Sequence, residues 1–406
     1  MEALGLRCVN CDQAYDLGLY YRCKQCDFPL EVIYNTPVRG EPIEIPGNPG
    51  LWYYQPCLPP VAKEDQISLG EGGTPLLHAK RLGELLGLPN LYIKDEGQNP
   101  TGSFKDRPTA MGVSFARSLG VETVVVSSTG NAGASLAAYA ARAGMRAFIF
   151  VTDRTPPAKL IQMAIHGANI VPVRGSLSDA YWLAYQAALR WQWMDLTSTF
   201  LSPYPVEGDK TVAYELYKQL GRAPDWILIP VSVGPLLVGI YKGFLELQAL
   251  GLVDRLPRMV ASQAAACAPI AKAFQSGAVD VHAWDGSSET VAGGIADPLR
   301  GYETDGIYTL RIVQKSGGIA TASEDEEILK ATRNLAALEG LFCEPTGAVS
   351  VAALNGLRLH TEFAPDQLVV CVATGHGLKQ TRVFEQMIEF PAAIDPTLDA
   401  FAKLLE

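Results

Sequence analysis

The sequence predicts an α/β protein in which mostly parallel strands are covered by helices. From Thr74 onward, apolar runs such as VETVVV and WILIPV alternate with amphipathic stretches such as NAGASLAAYAARAG. Continuous β-branched runs suit strands that are buried on both faces, as in parallel sheets covered by helices. The 406 residues exceed the usual roughly 100–200 residues of one domain, so we expect two or three packed units.

Composition and charge exclude several classes of protein. The net charge of −10 is spread along the chain without a basic, aromatic stretch, so we expect no nucleic-acid partner. Apolar residues make up 48% of the sequence, yet Gly or Pro interrupts each apolar run well before the roughly 20 residues of a membrane span. The N-terminus MEALGLRCVNCDQ lacks the basic and apolar regions of a secretory signal, which predicts a cytoplasmic protein with reduced thiols and no membrane partner.

Residues 1–34 are predicted to form a separate small module that binds zinc. Four of the eight cysteines form two C-x-x-C pairs there, namely Cys8, Cys11, Cys23 and Cys26. Two such pairs can present four thiolates to one ion, which is the tetrahedral sulfur shell of structural zinc. The alternatives are two disulfides or a ribbon that has lost its metal. The remaining cysteines stand singly in apolar contexts and are interpreted as buried, unreactive thiols.

The segment KDEGQNPTGSFKDR contains a candidate catalytic lysine. Its Asn-Pro-Thr-Gly stretch predicts a turn, and Ser103 is a candidate cap for a helix that begins at Phe104. Lys105 would then lie in the first helical turn, where the helix dipole disfavours an ammonium and makes the neutral or imine-forming amine easier to reach. The alternative is an ordinary solvated lysine paired with Asp106.

Three further segments place polar residues on turns that follow predicted strands. Ligands of open α/β sheets bind at the carboxyl ends of the strands, so these turns are candidate ligand sites. A plain connection between a strand and a helix would tolerate the same residues, and His376 would also suit a structural turn. The residues are Ser127, Ser128, Thr129 and Asn131 in SSTGNA, Ser232, Gly234 and Gly239 in SVGPLLVG, and Thr374 and His376 in ATGHG.

Together these segments resemble the threonine synthase family of fold-type II pyridoxal-phosphate enzymes. The motifs NPTGSFKDR, STGNA, CAPIAKAF, ETVAGGI, EPTGAVSVAAL and TGHGLK fall in family order and cover nearly the whole chain. The resemblance implies two open, mostly parallel sheets with helices, a zinc ribbon at 1–34, and a homodimer that acts on a small amino acid. It also implies a large cofactor-binding domain of 35–107 and 198–406, with a small mobile domain of 108–197.

The resemblance further implies roles for individual residues. Lys105 would bind pyridoxal phosphate as a Schiff base and then shuttle protons for the substrate. Asn131 would bond the 3′-oxygen of the cofactor, and Thr374 would be the neutral partner of its ring nitrogen. The other residues implied are Phe104 packing beside the lysine, Ser232 and Gly234 at the cofactor phosphate, and Ser128, Thr129 and Lys210 at the substrate.

Two segments depart from the family pattern and leave the substrate open. The phosphate loop P-V-G-N-x-G-N is replaced by residues 232–237, SVGPLL, and the family's N-P-x-R-x-E-G-Q-K-T is replaced by residues 202–211, SPYPVEGDKT. Pro205 stands where an arginine would bind the phosphate of O-phosphohomoserine, and Lys210 and Arg154 are the candidates to replace it. The expected activity is that of a threonine synthase. The alternatives are a β-elimination or β-replacement enzyme, such as a serine or threonine ammonia-lyase or a cysteate synthase-like enzyme, and a non-catalytic cofactor-binding regulator.

Overall fold

A computed structural model describes residues 1–35, 38–358, 363–364, 366–385 and 387–405. It contains three sheets, whose strands follow the alternation of apolar runs expected from the sequence. The strands are β1 (Ala3–Cys8), β2 (Ala14–Tyr15), β3 (Leu30–Tyr34), β4 (Leu76–His78), β5 (Leu91–Asp95), β6 (Thr123–Ser127), β7 (Arg146–Thr152), β8 (Asn169–Val173), β9 (Met194–Asp195), β10 (Trp226–Pro230), β11 (Arg258–Ala264), β12 (Ile319–Ser323) and β13 (Val369–Ala373).

Helices cover these sheets and connect most of the strands. The helices are α1 (Lys80–Leu86), α2 (Asp106–Ser118), α3 (Asn131–Ala143), α4 (Pro157–Ile165), α5 (Leu177–Trp191), α6 (Pro205–Asp209), α7 (Thr211–Leu220), α8 (Pro235–Ala249), α9 (Pro269–Gln275), α10 (Glu303–Lys315), α11 (Asp325–Glu339), α12 (Pro345–Arg358), α13 (Thr381–Glu385) and α14 (Leu398–Ala402). Within the described part of the chain, no helix combines the length and apolar character that a membrane span requires.

The largest sheet has six strands in the order β12-β11-β10-β13-β5-β4. All neighbours are parallel except β4, which pairs antiparallel with β5 at one edge. Every residue of β10 and β13 is buried, because helices cover both faces of the sheet. The expectation of buried, mostly parallel strands is therefore confirmed.

The second sheet has four parallel strands in the order β8-β7-β6-β9. Its strands come from residues 123–195, between the β4–β5 and β10–β13 parts of the large sheet. This arrangement is compatible with the proposed small domain of 108–197, whose boundaries stay a prediction. The carboxyl ends of β6, β10 and β13 open on the same cavity, and this common edge positions the candidate site.

The N-terminal residues form a third, three-stranded sheet of order β2-β1-β3 with antiparallel pairing. This module packs against both larger units. Arg22 forms a buried ion pair of 2.6 Å with Asp305 on α10, and the hydroxyl of Tyr21 donates to the carbonyl of Trp193 at 2.5 Å. The module is therefore seated on the body of the protein through specific polar contacts as well as apolar packing.

Candidate active site and cysteine cluster

A cavity of about 560 Å³ lies where the carboxyl ends of β6, β10 and β13 meet. Its wall includes Lys105 at the start of α2, the turn from Ser127 to Ala132, and Thr374 after β13. Three of the segments singled out in the sequence are thus brought together by the topology, and the turn before α8 adds Ser232 and Gly234. This is the location expected for a ligand of an open α/β sheet.

The turn before Lys105 is held rigidly against two neighbouring elements. Asp106 accepts hydrogen bonds from the backbone and hydroxyl of Thr101, both at 2.6 Å, and from the hydroxyl of Ser135 on α3 at 2.7 Å. The N–H of Phe104 donates to the carbonyl of Thr374 at 3.0 Å. Helix α2 begins at Asp106, two residues later than expected, because Lys105 occupies the N-cap position and the side chain of Ser103 makes no capping bond.

Lys105 is half-buried, and its ammonium lies 4.3 Å from the centre of the Phe104 ring. Burial lowers the pKa of Lys105 to about 8, although the negative charges of Asp209 and Glu344 act in the opposite direction. The lysine does not pair with Asp106, whose carboxylate is occupied by Thr101 and Ser135. The amine is therefore easier to deprotonate than a solvated lysine, which suits a nucleophile.

Asn131 is linked to a buried glutamate that sequence reasoning missed. Its side-chain N–H donates to the carboxylate of Glu344 at 2.8 Å. Burial raises the pKa of Glu344 to about 7, opposed mainly by the charge of Lys379 and the Asn131 bond. Glu344 lies just before α12 in the EPTGAVSVAAL segment, and an acidic residue beside a proline at a helix start was the available sequence signal.

Thr374 and the turn before α8 leave polar groups free to receive a ligand. The hydroxyl of Thr374 is buried and has no hydrogen-bond partner among the described residues. Gly234 has φ of 124°, and a Cβ at this position would overlap the side chain of Thr309, which donates to the carbonyl of Val233 at 2.7 Å. Only glycine fits this turn, and the backbone N–H groups that open a helix have no acceptor within it. Such an N-terminus suits a phosphate.

The turn after β6 presents two half-buried hydroxyls to the cavity. Ser128 and Thr129 both lie on its wall, and the hydroxyl of Ser128 accepts a bond from the N–H of Gly130 at 3.2 Å. This contact orders the turn that leads into α3. Both residues are thus positioned for the predicted substrate contact, which stays a prediction.

Lys210 does not lie where the sequence analysis expected it. Its side chain is fully buried, and its ammonium pairs with Glu207 at 2.6 Å and Glu246 at 3.0 Å and lies 4.0 Å from the centre of the Tyr34 ring. These charges already satisfy the lysine, and it does not line the cavity. We therefore withdraw its assignment to substrate, because helix α6 directs it into the core.

Neither Arg154 nor Pro205 contributes to the cavity wall. Arg154 is exposed and lies outside the cavity wall, and Pro205 is buried at the start of α6. Pro205 and Lys210 therefore serve packing in this chain, whereas Asp209 of the same segment acts on Lys105 through its charge. Within the described part of the chain, two further lysines line the cavity besides Lys105, namely Lys159 and Lys379, and neither was predicted from the sequence.

A buried charge network lies behind the start of α2. Arg107 pairs with Glu96 at 2.7 Å and with Glu215 at 2.6 Å, and Lys94 pairs with Glu215 at 2.6 Å. The four side chains are at most 3% exposed. This balanced set of two cations and two carboxylates ties α2 to β5 and α7, and thereby supports the backbone that presents Lys105.

These features define the class of protein. A desolvated lysine, a buried hydroxyl without a partner and a glycine turn at a helix start surround one cavity, and they fit a cofactor with an aldehyde, a ring nitrogen and a phosphate. The pyridoxal-phosphate dependent enzyme family matches the chain over residues 67–375. The fold and the site are those of an α/β enzyme that uses this cofactor.

Similarity to characterised sequences is more specific. The chain is 37% identical to a threonine synthase of Methanosarcina acetivorans over 98% of both chains. It is also 37% identical to a threonine synthase of Methanocaldococcus jannaschii, over 98% of this chain and 99% of that one. The chain therefore belongs to the threonine synthase family of pyridoxal-phosphate-dependent enzymes.

Solved structures support the fold. Maize serine racemase superposes with a TM-score of 0.65 at 20% identity, covering 77% of this chain and 91% of that one. Threonine deaminase isoform 2 from Solanum lycopersicum gives a TM-score of 0.66 at 21% identity, covering 87% and 98%. At these identities the likeness concerns the fold alone, and the expected fold-type II architecture is confirmed.

The four N-terminal cysteines converge as their spacing predicts. All four Sγ atoms lie within 4.8 Å of one another, and all four thiols are free. Three of the Sγ–Sγ distances are 3.5 Å, for Cys8–Cys26, Cys11–Cys23 and Cys11–Cys26. A tetrahedral ion with metal–sulfur bonds of about 2.3 Å needs neighbouring sulfurs roughly this far apart, so the donor set fits a structural metal.

Proposed function

We propose that this protein is a threonine synthase that uses pyridoxal phosphate to convert O-phosphohomoserine and water into threonine and phosphate. The observation that carries the proposal is the cavity in which Lys105, Asn131 and Thr374 meet, in a chain similar over nearly its whole length to two threonine synthases. The bound cofactor supplies an electron sink that withdraws electrons from the carbon skeleton of the amino acid.

Lys105 has two tasks in this proposal. Its amine would hold the cofactor and, when the amino group of the substrate takes its place there, would move protons between the substrate carbons. The lowered pKa, about 8, supports the second task, because an amine that exists in both protonation states near neutral pH can accept and return a proton. The anchored turn from Thr101 to Phe104 keeps the amine in position throughout.

Four other residues would contact the cofactor directly, and Glu344 would act through one of them. The Thr374 hydroxyl would meet the ring nitrogen without adding a charge, and Asn131 would bond the ring oxygen while Glu344 orients its amide. Ser232 and the helix start after Gly234 would hold the cofactor phosphate. The Val233 and Leu236 side chains that stand in place of the family's asparagines are buried, so backbone N–H groups become the principal donors.

Ser128 and Thr129 are proposed to bind the carboxylate of the substrate. They lie on the cavity wall beside Asn131, and the turn offers hydroxyls and backbone N–H groups to an anion. Tyr181 and Tyr302, each with an aromatic ring and a hydroxyl, also line the cavity.

We also propose a structural zinc ion at Cys8, Cys11, Cys23 and Cys26, a homodimer, and a location in the cytoplasm. The convergence of four free thiols supports the zinc ion, and free thiols suit a reducing compartment. All four sulfurs would be ligands, so no open position would remain for catalysis at the metal.

A second candidate is elimination or replacement on an unphosphorylated amino acid, as in a serine or threonine ammonia-lyase or a cysteate synthase-like enzyme. It is favoured by Pro205, which removes the arginine that the family uses for the substrate phosphate. The same lysine chemistry would serve this reaction.

One comparison of substrates distinguishes the two candidates. The purified holoenzyme is incubated separately with O-phosphohomoserine, serine, threonine and O-phosphoserine, while phosphate, threonine, keto acid and ammonia are measured. We expect phosphate and threonine in equal amounts from O-phosphohomoserine. Keto acid and ammonia from serine or threonine, with no phosphate from O-phosphohomoserine, would establish the second candidate instead.

A further inference from the structure

Two lysines on the cavity wall have no carboxylate partner. Lys159 extends from the first turn of α4 and is exposed at the mouth, and Lys379 follows β13 and is half-buried. Among the described residues, neither forms an ion pair within 4 Å, and the Lys159 ammonium makes no hydrogen bond. Lys159 lies in the part of the chain that forms the second sheet and Lys379 follows the last strand of the large sheet, so they line one cavity only through the tertiary fold.

Lys379 is held in place by neutral acceptors. Its ammonium donates to the carbonyl of Thr101 at 2.9 Å and to the side-chain oxygen of Gln162 at 2.8 Å. An ammonium has three donors, so one is left for a ligand. Burial lowers the pKa of Lys379 while the charges of Glu344 and Asp106 act to raise it. The charge is thus positioned and partly desolvated without being neutralised.

The acidic groups of the cavity wall are already engaged by other donors. Asp297 accepts bonds from the Tyr302 hydroxyl and the Leu299 N–H, both at 2.8 Å, and Glu344 accepts from Asn131. Since Lys105 is reserved for the cofactor, Lys159 and Lys379 are the cavity cations that remain for an anionic substrate. No comparable charge is supplied by Arg154, which lies outside the wall.

We propose that Lys159 and Lys379 bind the phosphate of the substrate, in place of the arginine whose position Pro205 occupies. This inference rests on the proposed function, since it names the recognition of O-phosphohomoserine in the same cavity. A phosphate dianion between two ammonium groups gains charge-assisted hydrogen bonds and loses little in adaptation, because Lys379 is already oriented by Gln162 and Thr101. Lys159, which is exposed on the cavity wall, supplies the second contact.

The test replaces each lysine by an uncharged residue of similar length. Lys159→Gln, Lys379→Gln and the double variant are compared with Arg154→Gln, which removes the same charge from a neighbouring loop outside the cavity. We expect the KM for O-phosphohomoserine to rise about tenfold to a hundredfold in each single variant and further in the double one. Arg154→Gln should stay within about twofold of the unmodified enzyme, and Lys379→Arg should recover part of the loss.

A binding measurement makes the test independent of turnover. The visible spectrum of the bound cofactor reports the binding of 2-amino-5-phosphonopentanoate and of 2-aminopentanoate, which lacks the phosphonate. The unmodified protein should bind the phosphonate compound more tightly than 2-aminopentanoate. This preference should fall about tenfold or more in Lys159→Gln. Because Lys159 is exposed, its replacement should not disturb folding, so the loss can be assigned to the missing charge. Thermal unfolding checks that Lys379→Gln is folded.

The outcomes separate the inference from the proposed function. Phosphate release with an unchanged KM in both single variants would overturn the role of the lysines while the proposed function stands. An unmodified enzyme that releases no phosphate from O-phosphohomoserine would refute the proposed function. In that case, tighter binding of the phosphonate compound that depends on both lysines would still support an anion site at Lys159 and Lys379. Equal binding of the two compounds would overturn this site.

Discussion

Replacement of Glu215 by glutamine tests whether the buried charge network supports the fold around the active site. Glu215 accepts bonds from Arg107 at 2.6 and 2.8 Å, from Lys94 at 2.6 Å and from the N–H of Gly73 at 2.8 Å. Glutamine has nearly the same shape but no charge. The variant therefore leaves two buried cations facing the single carboxylate of Glu96.

The expected loss of stability in Glu215→Gln follows from this imbalance of buried charges. Removing one partner of a buried ion pair costs about 3–5 kcal/mol, because the remaining charge is desolvated without compensation. We expect Glu215→Gln to lower the free energy of unfolding by about this amount at pH 7. The control is Glu122→Gln, an exposed glutamate without an ion pair among the described residues, for which we expect less than about 0.5 kcal/mol.

The assay is denaturant unfolding of the holoenzyme, followed by circular dichroism and by the cofactor spectrum. Burial alone would raise the pKa of Glu215, but the charges of Arg107 and Lys94 lower it well below its ordinary value. The carboxylate therefore stabilises the fold above the unfolded pKa of about 4.3 and loses this effect as pH falls toward the lower folded pKa. The difference in free energy of unfolding between the unmodified protein and Glu215→Gln should be constant from pH 7 to about 5 and shrink below about pH 4. If Glu215→Gln lowers the free energy of unfolding by less than about 1 kcal/mol at pH 7, the carboxylate of Glu215 is not needed to compensate Arg107 and Lys94.

Two further predictions concern the metal and the lysine. Metal analysis of protein purified without chelator should find one zinc ion per chain. Cys11→Ser should abolish zinc binding and increase hydrogen exchange in residues 1–34, while the cofactor spectrum persists. Unmodified protein without zinc would contradict the proposal. The rate at which pyridoxal phosphate attaches to cofactor-free protein should rise with pH, with a midpoint near pH 8. The reason is that only the neutral amine attacks, and burial lowers the pKa of Lys105 to about 8. A midpoint above about pH 10 would show that Lys105 is not desolvated.

The sequence predicted the parts of the protein that depend on local pattern. Continuous β-branched runs gave the buried parallel strands, and the spacing of Cys8 and Cys11 correctly placed the cysteines in one cluster. Lys105 and Thr374 were assigned to one cofactor by the family resemblance, and in the structure they share a cavity because β13 lies beside β5 in the large sheet.

The errors and omissions arise from long-range contacts. Lys210 was predicted to bind the substrate, but it pairs with Glu207 within its own turn and with Glu246 on α8, and the second contact depends on how α6 and α8 pack. Lys159 and Lys379 are 220 residues apart in the chain, and no local pattern shows that they share a cavity. The buried network around Arg107 likewise joins residues far apart in sequence, which alternation and turn chemistry do not report.

The most direct test of the account is to locate the cofactor on the chain. The holoenzyme is reduced with borohydride, which makes the link between pyridoxal phosphate and its lysine permanent, then digested and analysed by mass spectrometry. We expect the added mass on Lys105, within the peptide that contains the NPTGSFKDR segment. Label on another lysine, or an unlabelled chain from a protein with the visible cofactor spectrum, would contradict it.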